Sequence, residues 1–170
     1  MIVVVAGVSG SGKSTIGALL ADRLGWAFAD GDSFHPAASV TKMAAGIPLT
    51  DDDRRPWLGA IGAWMDERAA AGDSGVVACS ALKRAYRDVL LDGRPAARLV
   101  FLDISHDTDV ARLAARRGHF FPEGLLDSQF DDLEVPQTPE KVLVVPADGT
   151  PEELVARIIH RLNVADAPGG

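Results

Sequence analysis

The stretch GVSGSGKS, residues 7–14, decides the fold of this 170-residue chain. A glycine, four further residues and then Gly-Lys-Ser make up the G-x-x-x-x-G-K-[ST] pattern of a phosphate-binding loop. The β-branched run 2–6 before it predicts a buried strand, and the apolar side of 13–24 after it predicts a helix. Because the loop joins a strand to a helix, we expect its backbone N–H groups and the helix N-terminus to surround phosphate groups.

The residues of this loop are predicted to bind a nucleoside triphosphate. Lys13 is expected to reach the β- and γ-phosphates and to act in catalysis, and the Ser14 hydroxyl is expected to ligate Mg²⁺. The glycines allow the backbone to turn its N–H groups inward. The residues expected to contact the nucleotide here are Gly7, Val8, Ser9, Gly10, Ser11, Gly12, Lys13, Ser14 and Thr15.

Outside the loop, segments typical of strands alternate with segments typical of helices. Four more strands are predicted at 27–29, 75–79, 98–104 and 141–145. Further helices are predicted at 36–45, from a cap at Asp52 or Asp53 to about 71, at 81–91, at 108–117 and, capped by Thr150, at 151–162. This alternation predicts an α/β protein with the P-loop NTP hydrolase fold: a five-stranded parallel sheet with helices on both faces and a lid segment.

Length and composition bound the organisation, the partners and the compartment. Residues 1–164 are predicted to form a single domain, and residues 165–170 a frayed tail. The formal net charge of −7 argues against a nucleic-acid or anionic-membrane partner held by charge, and no apolar run approaches the length of a membrane span. Cys79 is the only cysteine, which fits a reducing compartment, so we expect the cytoplasm. The oligomeric state is left open, with a homodimer among the alternatives.

A second polar cluster, DGDSFHP at residues 30–36, follows the second predicted strand. A phosphate-binding loop alone indicates nucleotide binding and leaves three classes open: a small kinase, a nucleotide-driven switch, and a nucleotide-binding subunit of an assembly. The chain has no N-K-x-D motif for reading guanine, and the strand 75–79 ends without an acidic residue. The DGD triplet can supply a carboxylate to the metal and to an acceptor, and the short length also favours the kinase.

Four blocks of sequence resemble gluconokinase of the small phosphate-loop type, which is related to shikimate kinase. The blocks are DGDSFHP, KMAAGIPLTDDDRRPWL (42–58), ACSALKRAYRDVL (78–90) and RRGHFFPEGLLDSQFDDLEVP (116–136). With the phosphate-binding loop they span most of residues 3–136, in matching order and spacing. One departure is Ser39, where the family usually has asparagine, and it affects a polar contact near the acceptor pocket.

The resemblance implies ATP-dependent phosphorylation of D-gluconate at the 6-hydroxyl, which gives 6-phospho-D-gluconate and ADP, with ATP and Mg²⁺ as cofactors. The acceptor-binding region is then expected at about 30–70 and the lid at about 116–136. Two alternatives stay open. One is a related kinase acting on shikimate or another sugar acid, and the other is a nucleotide-sensing subunit without an acceptor.

The resemblance also implies roles in the acceptor site. Asp32 is expected to accept or orient the proton of the acceptor hydroxyl, as in the related kinases, and to hold Mg²⁺ through water. Arg54 is expected to bind the gluconate carboxylate bidentately. For Asp30 we leave open a metal or acceptor role and a role as a turn residue. For His35 we leave open contact with the sugar acid and a structural role at the start of the following helix.

Weaker assignments concern the remaining polar residues. Lys42 and Lys83 are candidates for substrate contact, with a solvated helix-face charge as the alternative for each. Gln129 is expected to hydrogen-bond substrate hydroxyls, and Asp148, in the loop after the fifth strand, to lie near the adenine. Arg55 is expected to pair with the acidic run 51–53. Three tryptophans are better explained as core residues: Trp26, Trp57 and Trp64.

The predicted lid carries a cluster of arginines. Arg116 and Arg117 are expected to act in catalysis by stabilising charge on the triphosphate as the lid excludes water. Arg112, four residues before Arg116, is expected to bind the nucleotide by stacking on adenine. Two phenylalanines, Phe120 and Phe121, are expected to pack within the lid. Cys79 is interpreted as a small buried residue and not as a nucleophile.

Overall fold

Five parallel strands form one sheet in the part of the chain that the computed structural model describes, which is residues 1–105, 107–108 and 123–165. The strands lie in the order β2-β3-β1-β4-β5, so the first strand is central. The predicted α/β class and the parallel sheet are confirmed. The strand bounds are β1 Ile2–Ala6, β2 Ala27–Asp30, β3 Gly75–Cys79, β4 Ala97–Asp103 and β5 Val142–Pro146.

Helices follow the strands in the predicted alternation. Two of them, Lys13–Leu24 and Pro151–Leu162, have the predicted bounds, and a 3₁₀ helix over Gly31–Phe34 was not predicted. The helix predicted at 108–117 falls almost wholly outside the described residues. The bounds among the described residues are α1 Lys13–Leu24, α2 Ala37–Ala44, α3 Asp51–Ala70, α4 Arg84–Leu91, α5 Glu123–Asp132 and α6 Pro151–Leu162.

Both faces of the sheet are buried, as the unbroken apolar run of the central strand predicts. Val3 and Val5 of β1 face one core cluster, which also contains apolar residues of α1 and α6. Ile2 and Val4 point the other way, into a cluster with residues of α3 and α4. The sheet is therefore sandwiched between two helical layers. Because its strands are parallel, the loops after β1, β2 and β3 all leave from the same edge.

Helix α3 begins two or three residues earlier than predicted, because its cap is Thr50 instead of Asp52 or Asp53. The Thr50 hydroxyl accepts a hydrogen bond from the Asp53 N–H (3.2 Å), and the Asp53 carboxylate accepts one from the Thr50 N–H (3.0 Å). This reciprocal pair is a capping box, with Asp53 at the position that usually holds glutamate or glutamine. The acidic residues at 51–53 therefore occupy the first turn, where the helix dipole favours negative charge.

Helix α4 begins at Arg84, three residues later than predicted. Ala81 has a φ of +37°, which a helix cannot accommodate, and the guanidinium of Arg87 donates to the Ala81 and Leu82 carbonyls (3.3 and 2.7 Å). Arg87 also forms an ion pair with Glu140 (Nε to Oε2, 2.8 Å), although its side chain is only 1% exposed. One buried cation thus fixes the start of α4 against the segment before β5.

Arg87→Met is expected to lower the free energy of unfolding by about 3 kcal/mol or more, because it leaves the Glu140 carboxylate buried without its partner. The guanidinium also holds the pKa of Glu140 below its usual range. Its stabilising contribution is therefore present at neutral pH and lost as the pH falls through that lowered pKa. Urea denaturation at pH 7 measures the loss. The double variant Arg87→Met/Glu140→Gln should recover part of it, and a single variant within about 0.5 kcal/mol of wild type, the usual range for surface substitutions, would contradict the assignment.

Candidate active site

The phosphate-binding loop has the backbone geometry that its glycines predict. Gly12 caps α1 with a φ of +94°, in the left-handed region. At Gly7, whose φ is +150°, a side chain would meet Ser11 Oγ at 2.7 Å. The Lys13 ammonium donates to the Val8 carbonyl across the loop (3.2 Å). Ser11 Oγ is buried and has no hydrogen-bond partner among the described residues. The loop is thus a closed cradle that ends in the N-terminus of a helix.

The acceptor side of this loop is held by a residue from a distant part of the chain. The Ser9 N–H donates to Gln129 Oε1 (2.7 Å), and Gln129 Nε2 donates to Ser9 Oγ (2.9 Å). These two bonds tie α5 to the loop across a sequence separation of 120 residues. Gln129 was predicted to contact substrate hydroxyls, and its link to Ser9 was not predicted.

At the end of β2, Asp30 stabilises the turn that presents Asp32. Asp30 Oδ1 accepts a hydrogen bond from the Asp32 N–H (3.0 Å), which favours the turn interpretation left open for Asp30. Gly31 lies so close to β3 that a Cβ would be 2.2 Å from the Ala78 carbonyl oxygen. Only glycine fits there. The 3₁₀ turn is therefore pressed against the end of β3, and the Asp32 side chain is exposed toward the site.

His35 is held by Trp57, with the two rings stacked at 4.4 Å between centroids and 10° between planes. The Trp57 indole donates to the Gly31 carbonyl (2.7 Å), so one buried ring supports both the turn and the imidazole. Burial lowers the pKa of His35 and outweighs the Asp32 charge, which raises it. His35 Nδ1 is buried and has no hydrogen-bond partner among the described residues. A neutral imidazole is therefore available at neutral pH.

A cavity of about 300 Å³ brings the loop and this turn together. Four of the predicted substrate residues line it, namely Asp32, His35, Arg54 and Gln129, as does Ser9 of the phosphate-binding loop. Its other lining residues were not predicted as site residues: Met43, Ile47, Pro48, Leu49, Trp57, Ser80 and Ser128. Trp57 is a core residue, as predicted, and also a wall of the cavity.

Arg54 is the cation of this cavity, and its side chain is 13% exposed. Its Nε donates to the Leu49 carbonyl (3.4 Å), and its Nη2 lies 3.6 Å from Asp132 Oδ2 on α5. The guanidinium also lies over the Tyr86 ring, 5.5 Å from its centroid. Sequence analysis missed Asp132. The only sequence signal is its position three residues after Gln129, which puts both residues on one side of a helix.

The two candidate lysines are each engaged by acidic residues outside the cavity lining. Lys42 pairs with Asp53 (2.7 Å) and holds the pKa of Asp53 down to about 2, with help from Thr50. Lys83 pairs with Asp51 (3.0 Å) and lies 3.4 Å from Asp132. Tyr86 also donates to Asp51, which lowers the pKa of that carboxyl. Both lysines therefore organise acidic residues around the site, and a direct substrate contact stays a prediction.

Three further predicted positions lie apart from the cavity. Asp148 forms an ion pair with Arg157 (2.7 Å) and follows β5. Arg55 pairs with Asp52 (3.4 Å), within the acidic run as predicted. Ser39 is buried in α2 and is not among the cavity-lining residues that the structure describes. Five residues predicted in or next to the lid fall outside the described residues, namely Arg112, Arg116, Arg117, Phe120 and Phe121, whereas residues 123–136 of the predicted lid are described and contain α5.

Cys79 is confirmed as a small buried residue at the end of β3. Burial raises the pKa of its thiol to about 12, and the charges of Lys13, Asp32 and Arg54 also act on it. A thiol that stays protonated at neutral pH is a poor nucleophile. These three charged side chains therefore lie near enough to the end of β3 to act on the thiol.

The residues present fit a magnesium nucleotide better than a protein-only metal cage. In the described part of the chain, no three histidine, cysteine or acidic side chains cluster as metal ligands. Mg²⁺ commonly keeps waters and binds substrate phosphates with only one or two protein ligands. The two residues predicted as its ligands are both exposed, Ser14 at the start of α1 and Asp32 in the turn after β2, and a hydroxyl and a carboxylate are oxygen ligands of the kind that Mg²⁺ takes.

Comparison with known proteins agrees with this geometry. The chain matches the shikimate kinase family over residues 9–163. It is 44% identical to gluconokinase from Gluconobacter oxydans over 163 residues, which cover 96% of this chain and 92% of that protein. The chain is a gluconokinase-type member of the shikimate kinase family.

Solved structures place this family member among small kinases of the same fold. A gluconokinase from Sinorhizobium meliloti is 43% identical and superposes with a TM-score of 0.81; the match covers 95% of this chain and 94% of the gluconokinase chain. A sugar kinase from a Janibacter species is 46% identical and superposes with a TM-score of 0.89; the match covers 96% of this chain and 95% of the sugar kinase chain. Within the described residues, none of the helices is both long and apolar enough to cross a bilayer.

Proposed function

We propose that this chain transfers the γ-phosphoryl group of ATP to the 6-hydroxyl of D-gluconate, which yields 6-phospho-D-gluconate and ADP. The family membership supports this reaction. The observation that carries it within the structure is the shared cavity, which is lined by a carboxylate, a cation for the acid and Ser9 of the phosphate-binding loop. Phosphoryl transfer depends chiefly on positioning and charge neutralisation, and this arrangement supplies both.

Asp32 is the proposed acceptor of the proton in this reaction. The O6–H proton passes to the Asp32 carboxylate as O6 forms a bond to the γ-phosphorus and the bond from that phosphorus to the ADP oxygen breaks. The turn stabilised by Asp30 and the close packing of Gly31 hold Asp32 in place. A fixed carboxylate orients the hydroxyl without the cost of reorganisation.

Lys13 and the backbone N–H groups of the loop are proposed to stabilise the phosphates. Ser14 and Asp32 would hold Mg²⁺, which when bound neutralises charge on the β- and γ-phosphate oxygens. Arg116 and Arg117 are proposed to add positive charge from the lid segment, Arg112 and Asp148 to contact the nucleotide, and Lys42 and Lys83 to contact the substrate. These six roles rest on the sequence alone.

Recognition of gluconate is proposed to combine one ion pair with several hydrogen bonds. Arg54 presents a guanidinium to the cavity and is fitted to bind the carboxylate bidentately. His35, Ser80 and Ser128 also line the cavity and supply groups for the hydroxyls. Because His35 is neutral, one ring nitrogen can donate and the other can accept a hydrogen bond.

An acceptor screen tests the proposed reaction. ADP release is measured by a coupled assay with gluconate, shikimate and other sugar acids as acceptors. We expect turnover that depends on gluconate, and mass spectrometry of the product should show one added phosphate. Activity confined to shikimate would show that shikimate, and not gluconate, is the acceptor. ATP binding without acceptor-dependent turnover would favour a nucleotide-sensing subunit.

Arg54→Ala is expected to raise KM for gluconate by about 10- to 100-fold, with a much smaller effect on KM for ATP. The reason is the loss of charge-assisted hydrogen bonds to the carboxylate, each worth about 1.5–3 kcal/mol. Initial rates with each substrate varied separately measure the split. Arg55→Ala is the matched control, since this neighbouring arginine is exposed and pairs only with Asp52 among the described residues. An equal rise in KM for gluconate and for ATP would contradict the proposed role of Arg54 in binding gluconate.

The compartment and the assembly state belong to the same proposal. A kinase of small metabolites needs ATP, and a chain with a single cysteine fits a reducing compartment, so we propose the cytoplasm. A homodimer stays among the open states, and sedimentation of the purified chain would decide.

A further inference from the structure

Helix α5 contacts both halves of the candidate active site through two residues on one side. Gln129 bonds Ser9 of the phosphate-binding loop at two points, and Asp132 lies 3.6 Å from the Arg54 guanidinium. The two residues are three apart, which puts them one turn from each other on the same face of the helix. We propose that α5 couples the nucleotide site to the acceptor site, with Gln129 and Asp132 as its positioning residues.

The contact at Ser9 links the loop to the helix in an orientation-specific way. The Ser9 N–H can only donate, so the amide oxygen of Gln129 must face it, and the amide nitrogen must then face Ser9 Oγ. Both polar atoms of the Gln129 amide therefore bond the same residue. A loop that closes on phosphate fixes Ser9, and through Ser9 it fixes the position of Gln129.

At the other end of this face, Asp132 links α5 to two cations near the acceptor site, Arg54 and Lys83. Asp132 Oδ2 faces Arg54, while its Oδ1 lies 3.4 Å from Lys83 Nζ. Asp132 is 36% exposed, whereas Arg54 is 13% exposed, so the carboxylate acts on the more buried partner from the rim of the cavity. A shift of α5 therefore changes how the guanidinium is presented to the acid.

This coupling rests on the proposed function and predicts a reciprocal effect on binding. A nucleotide that orders the loop pre-orients Arg54 and so raises the affinity of the protein for gluconate. By linkage, bound gluconate raises the affinity for the nucleotide by the same factor. Coupling between sites is typically about 5- to 150-fold, so we expect at least about fivefold here.

The test is calorimetric titration of gluconate with and without a non-hydrolysable ATP analogue and Mg²⁺. In the wild type, the analogue should raise the affinity for gluconate by about fivefold or more. Gln129→Met keeps the side-chain length but loses both hydrogen bonds, so it should reduce this gain in affinity to under about twofold. Asp132→Asn should reduce it as well. Two exposed residues give matched controls that keep the full gain: Gln137→Met and, on the same helix, Asp131→Asn.

Three results separate this inference from the proposed function. A wild type without coupling, or a Gln129→Met variant with the full wild-type factor, overturns the inference while gluconate phosphorylation stands. If the wild type neither binds nor phosphorylates gluconate, the proposed function fails. The affinity for the analogue alone then decides the inference: a loss of about tenfold in Gln129→Met upholds the link to the loop, and an unchanged affinity overturns it.

Discussion

Lys13→Ala is expected to abolish nearly all gluconate-dependent ADP release, with a loss in kcat of about a thousandfold or more. A single cation placed on the transferred phosphoryl group is worth about 10³–10⁵ in rate for related phosphoryl-transfer enzymes. In the structure the ammonium is held inside the loop by the Val8 carbonyl, at the N-terminus of α1. A phosphate bound in the loop can replace that carbonyl as the partner of the ammonium, and no lysine is among the lining residues of the described cavity.

The assay for this variant needs a control for lost charge in general. Lys141→Ala removes an exposed lysine just before β5, and it should keep wild-type turnover. The circular dichroism spectrum and the melting temperature of Lys13→Ala should match those of wild type, because Lys13 is partly exposed and outside the core clusters. If Lys13→Ala turned over at the wild-type rate, this result would contradict the proposed roles of Lys13 and of the phosphate-binding loop in the reaction.

Asp32→Asn is expected to reduce kcat with gluconate by about 10²–10⁴-fold, the usual contribution of a positioned general base. The amide has the same shape as the carboxylate but cannot accept the hydroxyl proton. KM for ATP should change less than kcat, because the loop and Lys13 are untouched and Asp32 is proposed to hold Mg²⁺ only through water. Single-turnover measurements at saturating gluconate separate the chemical step from binding.

Asp30→Asn is the informative companion to this variant. The Asp30 side chain acts by accepting the Asp32 N–H, and an asparagine oxygen can do the same. We therefore expect most activity to remain. A loss as large as that of Asp32→Asn would instead give Asp30 a direct part in metal or acceptor binding. Full activity in Asp32→Asn would show that Asp32 is not the proton acceptor.

The parts of the fold that sequence predicts well are those fixed by local patterns. The central strand is an uninterrupted apolar run, and α1 starts where the loop glycines end. Helix α6 carries a capping box that can be recognised from Thr150 and Glu153. Each of these is determined by a few neighbouring residues, so no knowledge of distant contacts is needed.

The misplaced helix starts show where local patterns fail. Thr50 and Asp53 also form a capping box, but with aspartate in place of the usual glutamate, and the acidic run offered competing caps. The start of α4 depends on Arg87, whose partner Glu140 is 53 residues away. Neither the φ of Ala81 nor this ion pair has a signal in the neighbouring sequence.

The candidate site divides in the same way. Lys13 and Asp32 follow from motifs and from the resemblance to gluconokinase. The contacts of Gln129 with Ser9 and of Asp132 with Arg54 join segments that are far apart in sequence, so only the folded chain brings them together. The stacking of His35 on Trp57 likewise needs α3 to pack against the 3₁₀ turn, and it gives a tryptophan predicted for the core a second role.

The burial of Cys79 has a practical use. Its sulfur is the only thiol in the chain, and it should resist alkylating reagents and mild oxidants while the protein is folded. A cysteine introduced on the surface, for example at exposed Asp131, would then be the sole site that a maleimide dye reaches. Changes in the surroundings of that dye during turnover could be followed by its fluorescence without first replacing a native thiol.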